Sequence, residues 1–123
     1  MNGANTVNQW GVYGAKGSPD AANVPGARNY SISWLDSAGN IWLFGGYGFD
    51  SAGNLGRLND LWRYDPAGGQ WIWTSGANTA DQLGVYGTKG TPAAGNVPGA
   101  RNYSISWPDS AGNLWLFGGY GYD

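Results

Sequence analysis

Apolar and polar positions alternate most clearly from Tyr30 onward. Tyr30, Ile32 and Trp34 fall on one face of an extended segment and Ser31 and Ser33 on the other, the period of two that marks a half-buried strand. This is strand A, 30–34. Asp36-Ser37-Ala38-Gly39-Asn40 supplies turn residues, two of which tolerate positive φ, and leads into strand B, Ile41-Trp42-Leu43-Phe44-Gly45-Gly46. Strand B is apolar on both faces, so its sheet has to be covered on both sides. A second Asp-Ser-Ala-Gly-Asn run, 50–54, reads as part of a longer loop before strand C, Leu61-Trp62-Arg63-Tyr64. Asp65-Pro66-Ala67-Gly68-Gly69 turns the chain into strand D, Gln70-Trp71-Ile72-Trp73-Thr74. Residues 1–29 are rich in Gly, Asn, Ala and Pro, and read as a long ordered loop.

The pattern then returns. The segment Val24 to Trp34 recurs unchanged at Val97 to Trp107, a period of 97 − 24 = 73, and between 3–50 and 76–123 the same residue stands at 38 of 48 aligned positions. Such self-similarity marks one supersecondary unit being stacked. The expected order is A-B-C-D-A′-B′: a loop over 1–29, a complete four-stranded unit over 30–75, the loop again over 76–102, and a half unit, strands A′ and B′, over 103–123. The whole 1–123 reads as a single repeat-built domain.

Composition sharpens this reading. With 8 Trp, 8 Tyr and 23 Gly but only 11% charged residues, the chain suits short strands, tight turns and bulky packing side chains, and the fold class expected is all-β. There is no His and no Cys, which removes the usual nitrogen and sulfur ligands of zinc, copper and iron, disulfides, and Ser-His-Asp or Cys-His machinery. The side-chain carboxylates are 8 Asp, and no catalytic residue, cofactor or metal site is assigned. A net charge of −2 argues against a phosphate-binding surface, hence no nucleic-acid partner. No apolar run approaches the roughly 20 residues of a membrane span, and the opening MNGANTV does not read as a signal peptide.

Four spaced elements carry a family signature: Arg28 entering strand A, Gly45-Gly46 closing strand B, Tyr64 followed seven positions later by Trp71, and the runs Pro25 to Arg28 and Asn59 to Pro66. Together they resemble the kelch repeat in its long-repeat bacterial form. The resemblance implies a β-propeller, with each repeat a four-stranded antiparallel blade around a central channel, strand A innermost and strand D at the rim. Kelch propellers include interaction platforms, cell-surface modules and sugar-related enzymes, so function does not follow from the fold. The copper oxidases among them hold their metal with His and Tyr beside a Cys–Tyr crosslink, an activity this composition excludes.

One and two-thirds repeats leave large apolar faces wet. Propellers close with four to eight blades, and fewer than about three repeats rarely stand alone. The expectation is a cyclic homo-oligomer of three or four chains joined head to tail, a non-enzymatic self-assembling building block of propellers. Two A-B hairpins accompany one C-D hairpin, which leaves three arrangements open: two-stranded alternate blades with an edge at B′, hairpins exchanged between chains, or a sequence cut from a longer array.

The expected blade core is Ile32, Trp34, Trp42, Phe44, Gly45, Gly46, Trp62, Tyr64, Trp71, Trp73, Trp107, Trp115 and Phe117. The aromatics of the loops and strand ends, Trp10, Tyr13, Tyr47, Tyr86 and Tyr120, are the candidates for a ligand or interaction surface, together with Arg28 and Arg101. They support an alternative function, a glycan- or protein-binding module using the long loops. An Arg in this position of the repeat also suits bonds to nearby backbone carbonyls or an Asp. Asn59-Asp60 and Asp65 read as turn formers, and Gly45-Gly46 as room for close backbone approach. The Asp-Ser-Ala-Gly-Asn runs at 36–40, 50–54 and 109–113 resemble fragments of calcium loops, but each offers one carboxylate where calcium takes six to eight oxygens. They read as turns.

Overall fold

The computed structural model describes residues 3–123, which form an all-β structure without helix. The first repeat builds one antiparallel sheet from β1 (Arg28–Asn29), β2 (Ile32–Leu35), β3 (Ile41–Phe49), β4 (Leu55–Asp65) and β5 (Gln70–Ser75). The order is β1-β3-β4-β5, with β2 also paired to β3. The second repeat contributes two separate two-stranded pairs, β6 (Arg101–Asn102) with β9 (Tyr120–Gly121), and β7 (Ile105–Pro108) with β8 (Leu114–Phe117).

Strand A is interrupted. Tyr30 has a φ of 55° and its repeat equivalent Tyr103 one of 59°, left-handed conformations that break the extended path. Two residues therefore pair on one side of the break, as β1, and four on the other, as β2. Opposite the break, the register shifts between Phe44 and Gly46, where Gly45 and Gly46 have φ of 59° and 100°. The double glycine is a β-bulge.

Past the bulge, the segment read as a long loop before strand C is a hairpin. β3 runs on to Phe49, Asp50 to Asn54 turn the chain, and β4 starts at Leu55, with Gly46 opposite Leu58 and Phe49 opposite Leu55. Asp50 holds this turn: Oδ1 accepts from the Ala52 and Asn54 amides and Oδ2 from Asn54 Nδ2. Asn59 and Asp60 accordingly lie within a strand and are buried, not in a turn.

The core sits on one face of β4 and β5. Tyr13, reaching in from the opening loop, packs against Trp62 at 4.8 Å and edge-on to Trp73 at 5.2 Å, with Leu43 and Trp71 around them. The two repeats meet through Tyr30 and Tyr103, whose rings stack at 4.1 Å while the Tyr103 amide donates to Tyr30 O. Arg57 lies over the Tyr120 ring at 4.1 Å. At Gly45 an added Cβ would stand 2.8 Å from Arg101 O, so the close backbone approach of the second repeat requires glycine there.

Candidate functional site

Three side chains, two of them distant in the chain, converge on one buried carboxylate. Asp60, on β4, receives Arg28 as a two-pronged ion pair, NH1 to Oδ1 at 2.6 Å and NH2 to Oδ2 at 2.7 Å. Its Oδ2 also accepts from Tyr13 Oη and Trp62 Nε1, each at 2.7 Å. Arg28 donates further to the carbonyls of Gly26 and Gly45, so every atom of its fork that faces the sheet is engaged. Burial disfavours the Arg28 cation, but the Asp60 carboxylate outweighs it and leaves Arg28 more firmly protonated than an isolated arginine. Burial, reinforced by Asp60, pushes the Tyr13 phenol far up. A fully partnered group of this kind orders a core and fixes one packing.

The second repeat presents the same group without its carboxylate strand. Arg101 Nε donates to Gly99 O and NH1 to Gly118 O, copying the local bonds of Arg28. Its NH2 reaches Tyr86 Oη at 3.1 Å and Asp123 Oδ1 at 3.4 Å. Asp123 is 89% exposed, and Tyr86 is 53% exposed where its equivalent Tyr13 is 4%.

The proposed interaction residues are therefore not one surface. Tyr13 and Arg28 are buried in the first group; this corrects the expectation of Tyr13 as a loop aromatic open to ligand, because Asp60 and Trp62 draw it inward. Tyr86 and Arg101 share the open group. Trp10 is exposed and stands beside Gly53 in the turn 50–54, Tyr47 is at the margin of exposure on β3, and Tyr120 lies under Arg57. Asp60 was hidden in the sequence by its turn-like neighbour Asn59. The usable signal was a carboxylate set among Leu58, Leu61 and Trp62, which needs a cation once that segment is buried.

The expected core divides by repeat. Phe44, Gly45, Gly46, Trp62 and Trp73 are buried, and Ile32, Trp34, Trp42, Tyr64 and Trp71 half-buried. Trp107, Trp115 and Phe117 are exposed at 45%, 54% and 68%, a departure from the core assignment, because no described strand covers their face of the β7–β8 hairpin. Their equivalents Trp34, Trp42 and Phe44 instead line a 440 Å³ groove with Ile32 and Leu61, opposite Leu114 and Leu116 of the second repeat. Trp34 and Trp42 stack at 5.9 Å there, and Trp42 Nε1 donates to Asp36.

The Asp-Ser-Ala-Gly-Asn turns spend their carboxylates internally. Asp36 accepts from the Ala38 and Asn40 amides, Asn40 Nδ2 and Trp42 Nε1, and Asp109 does the same with its own neighbours. Among the described residues no three His, Cys, Asp or Glu side chains gather as a metal site. No family model matches the chain, and no curated protein or solved structure matches it either.

Proposed function

We propose that this protein is a non-enzymatic kelch-type propeller building block that assembles head to tail with copies of itself, three or four chains closing a ring. One observation carries the reading: the contact between the two repeats inside one chain uses surfaces that the chain also presents, unpaired, at its two outer faces. Within the chain, the cross-strand pairs Ile32/Phe44 and Trp34/Trp42 face Leu114 and Leu116. The second repeat offers the same two pairs outward, Ile105/Phe117 and Trp107/Trp115. The first repeat offers Ile41, the equivalent of Leu114, exposed together with Leu35, while Leu43, the equivalent of Leu116, packs against the core of its own repeat.

Gly45 and Gly118 fit the same scheme. Gly45 receives Arg101 O of the second repeat, whereas an added Cβ at Gly118 would meet nothing within 4 Å, which is the space that Arg28 O of a following copy takes. Contacts of this heterologous kind produce rings when the rotation closes. Each large apolar side chain covered stabilises the contact by about 1.5–3 kcal/mol relative to leaving it exposed.

The test is Phe117→Arg. Phe117 is 68% exposed within one chain, so the substitution leaves the chain's own fold intact while placing a charge in the interface. The expected result is a single-chain mass with an unchanged β spectrum, and an oligomer of wild-type mass would sink the reading.

A further inference from the structure

The two repeats hold one set of side chains in two states, and the comparison identifies what the second lacks. In the first repeat Arg28 and Tyr13 bond Asp60 of β4, Asn23 Nδ2 donates to Trp71 O of β5, and Lys16 donates to Gly76 O and lies over Trp73 at 4.3 Å. All four partners belong to the β4–β5 ribbon or the residue after it. The second repeat carries Tyr86, Lys89, Asn96 and Arg101 at the matching positions.

This second socket is built to the same local plan. A Val85–Val97 bridge repeats the Val12–Val24 bridge, Ser104 bonds Gly118 O as Ser31 bonds Gly45 O, and the Arg101 side chain is 14% exposed, held by the Gly99 and Gly118 carbonyls. What differs is the edge beside it. β3 pairs with β4 along its far side, Leu43 opposite Trp62 and Phe44 opposite Leu61. Among the described residues β8 pairs only with β7, leaving Leu116 and Phe117 with no strand on that side.

We propose that the free edge of β8, with Arg101 and Tyr86, is a docking site for a two-stranded β-ribbon of another polypeptide that carries an aspartate two residues before a tryptophan. The incoming strand adds to β8 by main-chain hydrogen bonds, the mode of β-augmentation. Its carboxylate enters the Arg101 fork in the two-pronged geometry that arginine favours and accepts from Tyr86, displacing the exposed Asp123. Its tryptophan covers the Tyr86 ring. Charge complementarity selects an acidic residue at that point, and the first repeat shows the occupied form at 2.6 and 2.7 Å. The described β4–β5 ribbon is already paired to β3 of its own chain, so a copy that lent it would open its own β3 as it filled another's β8. The site lies on the edge of the β7–β8 hairpin and is separate from the face through which copies stack.

The experiment titrates the full chain with a labelled synthetic peptide of the sequence 55–75, below the concentration at which the peptide self-associates, and reads fluorescence anisotropy. The expected result is saturable binding of one peptide per chain. Asn in place of the peptide's Asp60, and Arg101→Ala in the chain, each weaken it about tenfold or more, as loss of one partner of a charge pair does. Tyr86→Phe, which removes only a hydroxyl from a half-exposed side chain, weakens it severalfold and serves where Arg101→Ala does not fold. No saturable binding overturns the proposal, as does binding that is equally tight with the Asn peptide or with Tyr86→Phe. Arg101→Ala and Tyr86→Phe keep the wild-type oligomeric mass and Phe117→Arg does not, so failure at the edge and failure of the stacking face are read separately.

Discussion

Arg28 and Asp60, 32 positions apart in the chain, meet in a two-pronged ion pair whose side chains are 5% and 0% exposed. The pair ties the entry of the first sheet to its third strand in space, and it recruits Tyr13 and Trp62 through the same carboxylate. Its counterpart in the second repeat, Arg101 with Asp123, is long at 3.4 Å and open to water.

Removing one partner of the buried pair leaves a charge without compensation. Asp60→Ala is expected to destabilise the fold by about 3–5 kcal/mol, whereas Asp123→Ala changes stability by less than about 1 kcal/mol, the range of an exposed pair. Urea unfolding of the two variants makes the comparison. Equal effects would mean that the buried network does not organise the core.

The paired glycines separate backbone strain from crowding. Gly45→Ala forces a Cβ to 2.8 Å from Arg101 O at a φ of 59°, while Gly118→Ala meets only its φ of 66°. A left-handed L-residue costs about 1–2 kcal/mol. In the single chain Gly118→Ala should cost no more than that and Gly45→Ala clearly more, because the contact between repeats has to shift. Thermal melts in the Phe117→Arg background, where the chain is expected to stand alone, decide it, and a larger loss at Gly118 would contradict the packing described.

Acid should weaken the two surface turns. Asn40 and then Trp42 hold the Asp36 carboxyl down at about 2, and Asn113 and Trp115 do the same for Asp109, against an ordinary 3.8. A carboxyl lowered in the folded state stabilises it above the ordinary value, and that contribution is lost as pH falls from about 4 toward 2. The double variant Asp36→Asn with Asp109→Asn is expected to melt below wild type at pH 7 and to converge with it near pH 2. A gap that stays constant with pH would place the stabilisation elsewhere.

The all-β class and the strand alternation at Ile32–Leu35 and Ile41–Phe44 are legible because local period and turn chemistry agree. The hairpin extension across 46–58 is not, since Gly46, Gly48 and Gly56 interrupt the alternation that would reveal it. Tyr13 was illegible for a different reason: its burial depends on Asp60, 47 positions away, and nothing local to the loop records that contact. Trp107, Trp115 and Phe117 read as core because they lie in strands that repeat the apolar strands of the first unit. Their exposure reflects which surfaces lie opposite them, and side-chain character does not encode this.

The most direct test of head-to-tail assembly is the absolute mass of the wild-type protein by light scattering after size-exclusion chromatography, at two concentrations. Each chain is 13.0 kDa, and the account predicts one species of three or four chains, unchanged by dilution. A folded protein that elutes as a single chain at both concentrations would contradict it.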